Sequence, residues 1–319
     1  MISRVITVTL NPAIDETIAL DALRPGHVHR AGSPRFSAGG KGVNVAGCLA
    51  DWRSKAPVVA TGLLGAANAA VFEALFTAKN ITDAFIRIPG ETRTNIKLTH
   101  AGETTDINLP GPLVDAGSAG EIRRKILDLA SAETLVLFAG SLPAGIGDGI
   151  YAELTEILRA RGALVLVDTS GAPLERVLKA KTLPFCIKPN RSELEHFARR
   201  SLATDTDIII TAKQLIASGL DLVIVSLGAE GSLYISRDQV LRAWLPAIRP
   251  ASTVGAGDAM VAGIIAALCE GAALAGIAAL ATAFAVAKLG QPGPNLPARG
   301  IVEELRPNVQ ITNMGSTNI

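Results

Sequence analysis

The chain has 319 residues and a formal net charge of +1; 49% of its residues are hydrophobic and 18% are charged. That apolar content excludes a largely disordered chain, and the near-neutral charge gives no indication of a nucleic-acid partner. The length permits a sizeable core and predicts one to two domains. The three cysteines, Cys48, Cys186 and Cys269, are far apart and odd in number, which favours core residues over a disulfide framework or a zinc site.

Short apolar runs alternate with helical patterns along most of the chain. The runs predict strands at Val5–Leu10, Val58–Leu63, Thr134–Ala139, Leu164–Asp168, Phe185–Lys188 and Leu222–Ser226. Helical patterns lie near 42–53, 67–79, 117–131, 148–160, 172–180, 191–198 and 207–218. This alternation indicates βαβ units, so we expect an α/β fold with a mainly parallel central sheet flanked by helices.

Two segments, 14–36 and 93–109, break the alternation because polar and apolar residues alternate there without a helical pattern. In the second segment, Thr94–Thr99 and Thr105–Leu109 flank the turn signal Ala101-Gly102-Glu103, which predicts a hairpin. A lone hairpin is marginally stable, so we expect both segments to form a small sheet beside the main body. The polar tail from Pro307 to Ile319 is expected to be loosely held.

The stretch from Ala259 to Ala287 is a candidate membrane span, because its only charged residue is Glu270. It is longer than the roughly 20 apolar residues that a membrane span needs. It is rich in Ala and Gly, however, and Glu270-Gly271 divides it, which favours two buried helices. The N-terminus has no cleavage-site pattern and indicates a first strand. We therefore expect no membrane partner and a cytoplasmic location.

The segment Ser252-Thr253-Val254-Gly255-Ala256-Gly257-Asp258 precedes an apolar helix. Small residues let the backbone approach a ligand closely, and N–H groups at a helix N-terminus bind anions. Asp258 falls in the first helical turn, where it is either a general base or a helix cap. With a general base beside an anion site, the segment predicts phosphoryl transfer.

A second glycine-rich segment, Gly39-Gly40-Lys41-Gly42, also opens a helical pattern, and a lysine there suits an anionic ligand. The chain contains neither a GxxxxGK[ST] nor a strand–GxGxxG–helix pattern, which excludes a P-loop and a dinucleotide fingerprint. Asn190 and Glu193 are either Mg²⁺ ligands or a capping box. A basic cluster in segment 14–36 is either a solvated face or a contact for a phosphorylated substrate. The same two alternatives apply to Arg93, at the start of segment 93–109. The cluster comprises Arg24, His27, His29, Arg30 and Arg35.

Taken together, these segments resemble the ribokinase-like (PfkB) carbohydrate kinases over nearly the whole chain. GGKGVNVA at 39–46 and STVGAGDAMVAG at 252–263 are similar to the two family signatures. The resemblance implies a ribokinase-like fold in which residues 1–319 form one kinase domain. It also implies a small β lid built from about 14–36 and 93–109, and a homodimer formed through that lid.

Further segments are similar to the sugar-phosphate kinase branch of this family, namely TLNPAID at 9–15, TRTNIKL at 92–98, TTDINLPGP at 104–112, AGSLPAG at 139–145 and IKPNRSEL at 187–194. They imply ATP-dependent phosphorylation of fructose 1-phosphate to fructose 1,6-bisphosphate. Kinases of tagatose 6-phosphate, fructose 6-phosphate, or an unphosphorylated sugar or nucleoside remain alternatives. So does a sugar-phosphate-binding regulator that has lost catalysis.

The resemblance also implies a role for individual residues. Asp258 would be the base, and the backbone of Gly255, Ala256 and Gly257 would stabilise the transferring phosphoryl group. The phosphosugar would be held by Asp15, Gly39, Gly40, Lys41, Asn44, Arg93, Asn95 and Ser141. ATP would meet Lys188, Asn190, Ser226, Gly228, Glu230 and Gly231. Asn190 and Glu193 would organise Mg²⁺, and the carbonyls of Ser252 and Val254 would help bind a monovalent cation such as K⁺.

Overall fold

The computed structural model describes residues 2–101, 103–246, 255–291, 293 and 295–315. Its strands, in chain order, are β1 (Arg4–Thr9), β2 (Ala13–Ala19), β3 (Arg35–Gly39), β4 (Val58–Gly65), β5 (Thr82–Asp83), β6 (Ile86–Ile88), β7 (Thr94–His100), β8 (Glu103–Asn108), β9 (Thr134–Ala139), β10 (Leu164–Asp168), β11 (Cys186–Ile187), β12 (Leu222–Ser226), β13 (Ser232–Ser236), β14 (Val240–Trp244) and β15 (Gln310–Asn313). Its α-helices are α1 (Lys41–Trp52), α2 (Ala70–Ala78), α3 (Ala116–Leu129), α4 (Ile150–Ala160), α5 (Gly171–Leu178), α6 (Arg191–Ala198), α7 (Asp205–Ala217), α8 (Ala256–Cys269), α9 (Leu274–Leu289) and α10 (Arg299–Leu305).

Most strands belong to one large sheet in the order β15-β14-β13-β12-β11-β10-β9-β1-β4-β5, with β6 paired separately with β4. Along this sheet order, all neighbouring strands between β12 and β5 pair in parallel, whereas β13, β14 and β15 add an antiparallel edge. The α/β fold with a mainly parallel sheet is therefore confirmed. The carboxyl ends of the parallel strands share one edge of the sheet, which is where such folds bind ligands.

Two apolar clusters cover the two faces of the large sheet. In β1, Val5 belongs to the cluster beneath α1, α8 and α9, and Ile6 belongs to the cluster beneath α3, α4 and α7. A strand covered on both faces is apolar along its whole length rather than at alternate positions. That is why continuous apolar runs located these strands in the sequence.

The long apolar stretch forms α8 and α9, which confirms two buried helices. Glu270 follows the last residue of α8, and Gly271 takes φ +72° in the turn between the two helices. The helices pack closely because a methyl group on Gly263 would lie 2.7 Å from Cα of Ala281. Within the described ranges, no helix is both long and apolar enough to cross a membrane.

A separate four-stranded sheet has the order β3-β2-β7-β8, and β7 and β8 form the predicted hairpin. Neighbouring strands place Phe36, Glu16, Ile96 and Ile107 in one row across this small sheet. The adjacent row contains Asp15 and Asn95, whose side chains point to the opposite face because strand residues alternate. One face of the small sheet is thus largely apolar, and the other carries polar groups.

Two expectations about local structure were wrong. The strand expected at Phe185–Lys188 is shorter, the two-residue β11, and Pro189, which lacks an N–H, lies two residues after its end. The tail expected to be loosely held contains β15, which pairs antiparallel with β14 at the sheet edge. An edge strand can be polar and exposed, since its backbone hydrogen bonds hold it without an apolar pattern.

Candidate active site

Asp258 lies in the first turn of α8, and its side chain is buried. The N-cap of α8 is Gly255, at φ +83°, and no described side chain, that of Asp258 included, caps the helix there, so the interpretation of Asp258 as a cap is wrong. Asn44 of α1 donates a hydrogen bond from Nδ2 to Oδ2 of Asp258 at 2.7 Å. This bond engages Oδ2 of the carboxylate and not Oδ1.

The environment of Asp258 makes it a stronger base than an ordinary carboxylate. Burial raises its pKa to about 6, and the charge of Asp168 acts in the same direction. Lys41, Lys188 and the hydrogen bond from Asn44 offset part of this shift. At neutral pH the group is ionised yet has an increased proton affinity, which is the balance that a general base needs.

Asp168, at the end of β10, joins the two lysines that flank this carboxylate. Its Oδ2 lies 3.3 Å from Nζ of Lys41, and its Oδ1 lies 3.4 Å from Nζ of Lys188. Burial alone would raise the pKa of Asp168, but the two ammonium groups together bring it below its usual range. Sequence reasoning missed this residue, although a carboxylate at the carboxyl end of a buried strand is a usable signal.

Lys41 and Lys188 place positive charge beside the start of α8. Burial by itself lowers the pKa of Lys41, yet Asp168, Asp258 and Glu193 raise it above the ordinary value, so Lys41 is charged at neutral pH. A methyl group on Gly257 would lie 3.8 Å from Nζ of Lys188. The first N–H groups of α8 therefore face a region whose cations suit an anionic group.

Of the two glycines before α1, Gly39 lies against Asp15 of the small sheet. A methyl group on Gly39 would lie 2.8 Å from Oδ2 of Asp15, and Gly40 takes φ +116° as the N-cap of α1. Asn95 donates to Oδ1 of Asp15 at 3.4 Å, and Nζ of Lys97 lies 3.7 Å from Oδ2. Burial raises the pKa of Asp15, and Lys97 is the main offset. Lys97 was also missed, although strand alternation places it on the same face as Asn95.

Arg93 occupies the junction between the large and small sheets. Its guanidinium donates to the backbone carbonyls of Asn11, Pro12 and Leu109 at 3.1, 3.2 and 2.9 Å. It therefore ties the segment after β1 to the end of the hairpin. Ser141 lies close by and accepts a hydrogen bond from Nδ2 of Asn11 at 3.1 Å. For Arg93 and Ser141, contact with a substrate remains a prediction.

Asn190 and Glu193 form the capping box that begins α6. Oδ1 of Asn190 accepts from the backbone N–H of Glu193 at 2.8 Å, and Oε2 of Glu193 accepts from the N–H of Asn190 at 2.9 Å. The capping interpretation is thus confirmed. Oε1 of Glu193 takes no part in the box, so a role towards Mg²⁺ remains a prediction.

The loop after β12 lies beside Asn190, because Ser226 forms a parallel bridge with it. A methyl group on Gly228 would meet none of the described residues within 4 Å, whereas one on Gly231 would collide with the carbonyl of Ala243. The carboxylate of Glu230 lies 3.7 Å from Arg191 and from Arg242. The residues expected to meet ATP are therefore contiguous in space around an open position at Gly228.

The remaining expected site residues lie outside this group. In the basic cluster, Arg24, His27, Arg30 and Arg35 are exposed, as a solvated face requires. Ser252 and Val254 lie outside the described residues. Nowhere in the described ranges do three or more His, Cys, Asp or Glu side chains form a group that could hold a metal ion.

Comparison with known proteins identifies the family. Residues 8–299 match the model of the pfkB family of carbohydrate kinases. The chain belongs to this family. It is 50% identical over 289 residues to a 1-phosphofructokinase of Xanthomonas campestris pv. campestris, covering 89% of this chain and 90% of that protein. It is 43% identical to a 1-phosphofructokinase of Rhodobacter capsulatus, covering 93% and 94%.

Solved structures of pfkB kinases have the same fold. Phosphofructokinase-2 from Escherichia coli in complex with substrates and products superposes with a TM-score of 0.89 at 26% identity, covering 95% of this chain and 98% of that one. The same enzyme has been solved in complex with potassium and in a tetrameric inhibited form. The pfkB chain described here is a sugar-phosphate kinase, a phosphotransferase with an alcohol acceptor. Kinases of this family use ATP, typically with Mg²⁺.

Replacing Asp258 by asparagine should stabilise the fold at neutral pH. An acid whose folded-state pKa is raised binds more protons folded than unfolded, so ionisation costs stability as pH rises through the interval from 3.8 to about 6. Asp258→Asn removes this cost, and urea unfolding should show a gain of about 2–3 kcal/mol above pH 6 that vanishes near pH 4.

The matched control is Asp238→Asn, which changes an exposed carboxylate between β13 and β14. Its difference from the wild type should not vary over the same pH interval. If Asp258→Asn is equally stable or less stable than the wild type above pH 6, the carboxylate is not destabilised by burial.

Proposed function

We propose that this pfkB kinase transfers the γ-phosphoryl group of ATP to the C6 hydroxyl of fructose 1-phosphate and so forms fructose 1,6-bisphosphate. The observation that carries the chemistry is the buried carboxylate of Asp258, with its raised pKa, at the start of α8. Support for this acceptor comes from the 50% identity to the 1-phosphofructokinase of Xanthomonas campestris.

Asp258 begins the transfer by accepting the proton of the C6 hydroxyl. The hydroxyl oxygen then forms a bond to the γ-phosphorus as the bond from that phosphorus to the β,γ-bridging oxygen breaks, and ADP leaves with the bond's electron pair. The backbone N–H groups of Gly255, Ala256 and Gly257 receive the charge on the transferring group. Lys41 and Lys188 add positive charge beside it. Such a site acts mainly by positioning and electrostatics.

The phosphosugar would occupy the space between the small sheet and the start of α1, where Asp15, Gly39, Gly40, Lys41, Asn44, Arg93, Asn95 and Ser141 are its proposed contacts. Oδ1 of Asn11, Asn44 and Asn95 are buried acceptors for which the described residues provide no donor. A buried acceptor without a donor costs roughly 1–3 kcal/mol. The hydroxyl groups of a sugar are donors, so their binding would remove part of that cost.

ATP would lie along the carboxyl ends of β11 and β12, contacted by Lys188, Asn190, Ser226, Gly228, Glu230 and Gly231. Gly228 leaves open space for a ligand, and the Asn190–Ser226 bridge holds the two segments together. When bound, Mg²⁺ would neutralise phosphate charge. Oε1 of Glu193, which the capping box does not use, fits the preference of Mg²⁺ for oxygen ligands, with Asn190 orienting that side chain through the capping box.

The small sheet would act as a lid on the single kinase domain that we infer for residues 1–319. Asp15 and Asn95 lie on the face that we assign to the phosphosugar, and both belong to this sheet. If the sheet closes over the acceptor, it excludes water and limits hydrolysis of ATP.

Asp258→Asn should remove most of the turnover while both substrates still bind, because asparagine keeps the size of the side chain and loses the base. Loss of a general base lowers kcat by about 10²–10⁴-fold. Coupled ADP release measures turnover, and titration calorimetry measures binding. Asp238→Asn should retain wild-type kinetics, and near wild-type turnover by Asp258→Asn would refute the role of the carboxylate.

Fructose 1-phosphate should have a higher kcat/KM than tagatose 6-phosphate or fructose 6-phosphate in the same assay. A neutral sugar or nucleoside should be a poor acceptor, since it lacks the phosphate group that the proposed phosphosugar contacts, Arg93 among them, would bind. A higher kcat/KM for one of the other phosphosugars would refute the proposed acceptor and leave the kinase chemistry intact. Binding of all three phosphosugars without turnover would instead indicate a regulator.

We further infer a homodimer formed through the small sheet. Its apolar face exposes 57% of Phe36 and 43% of Ile107, which lie in one row with Ile96. A second copy of this face could cover these side chains, and exposed apolar patches commonly mark such contacts.

Ile107→Asp should therefore convert the dimer to a monomer, because it would place a desolvated carboxylate in the contact. Sedimentation velocity measures the assembly. The control is Ile301→Asp on α10, whose side chain is similarly exposed at 45% and lies outside the small sheet. If the wild type is monomeric, or if both variants stay dimeric, this contact does not form the dimer.

A further inference from the structure

Lys288, in the last turn of α9, is a buried cation that the proposed mechanism does not use. Its relative exposure is 0%. Lysine is almost never fully buried unless its ammonium is paired, because removing the charge from water is costly. The position of this ammonium therefore requires a compensating environment.

Among the described residues, that environment provides a backbone carbonyl and a distant carboxylate rather than a salt bridge. Nζ of Lys288 donates to the carbonyl of Gln291 at 3.0 Å. In the part of the chain that the structure describes, no carboxylate lies within ion-pair distance of it. Burial lowers the pKa of Lys288, whereas Cys48 and Asp258 act in the opposite direction. The base at the start of α8 thus helps to keep this ammonium charged.

Lys288 also touches the segment that opens α8. A methyl group on Gly255 would lie 3.3 Å from Cε and 4.0 Å from Nζ of Lys288. The close approach of α9 to α8 at Gly263 and Ala281 fixes the lysine in this place. The ammonium therefore lies beside the N-terminus whose N–H groups are assigned to the transferring phosphoryl group.

We propose that the ammonium of Lys288 is a resident cation of the phosphoryl-transfer site, supplying beside Gly255 the charge that a bound monovalent ion would otherwise supply. This inference rests on the role proposed for the start of α8. The ammonium carries one positive charge and binds a backbone carbonyl, as a monovalent cation would. A second monovalent cation close to it would be repelled, because buried charges interact strongly. The enzyme should therefore be active without added K⁺.

The test measures turnover in buffers free of K⁺ and NH₄⁺, with ionic strength held constant by tetramethylammonium, a cation too large to replace an ammonium. The acceptor is whichever phosphosugar the wild type uses best. The wild type should respond less than about twofold to added K⁺, whereas Lys288→Met should lose about ten- to a hundredfold in kcat and recover part of it with K⁺ or NH₄⁺.

Lys213→Met is the matched control. Lys213 of α7 also donates to backbone carbonyls, those of Ser236 and Arg237 at 3.1 and 2.7 Å, but it lies outside the site. It should retain wild-type kcat and show no cation response. Thermal unfolding of both variants separates a loss of charge from a loss of fold.

Two results would overturn the proposal. The first is activation of the wild type several-fold by K⁺, which needs no variant. The second is a Lys288→Met variant that is folded and keeps its kcat, or loses it without recovery by any cation; Lys288 would then serve only to stabilise the C-terminus of α9. Failure of the proposed function is distinguishable, since it would appear as an absence of wild-type turnover with every phosphosugar.

Discussion

The burial of one carboxylate at the start of a helix is the constraint on which the rest of the site depends. Asp258 can remain ionised inside the protein only because positive charge and hydrogen-bond donors surround it. Lys41 and Asn44 of α1 and Lys188 after β11 supply them. The same cations that make the anion tolerable are then in place for a phosphate group, so one arrangement serves both the free enzyme and the proposed reaction.

Asp168 balances part of the positive charge of Lys41 and Lys188. Two ammonium groups close together would repel each other, and the carboxylate between them relieves that repulsion while fixing their positions. It also raises the pKa of Asp258, against the effect of the lysines. The proton affinity of the proposed base is therefore set by its burial together with opposing charges, and no single neighbour determines it.

Sequence patterns predicted the alternating strands and helices, and the site residues that lie within one motif. The buried parallel strands were recognisable because strands covered on both faces are apolar along their whole length. Lys41 and Asp258 were recognisable because each lies next to glycines at the start of a helix.

The contacts that join motifs could not be predicted in this way. Asn44 and Asp258 are 214 positions apart, and Lys41 and Asp168 are 127 apart. Only the tertiary fold, in which α1 packs against α8, brings them together. The β15 edge strand was missed for a related reason, since backbone pairing alone leaves no apolar pattern.

The buried position of Lys288 shows one structural role of the chain's many small residues. A lysine at the end of an apolar helix would ordinarily direct its ammonium to water, and nothing in its sequence neighbourhood indicates otherwise. Here the lysine is buried, and α9 packs so closely on α8 that a methyl group on Gly263 would lie 2.7 Å from Cα of Ala281. Gly255 then leaves room for the lysine stem where a side chain would be. A chain with a net charge of only +1 can in this way concentrate cations at one site, because close backbone packing determines where its few buried charges lie.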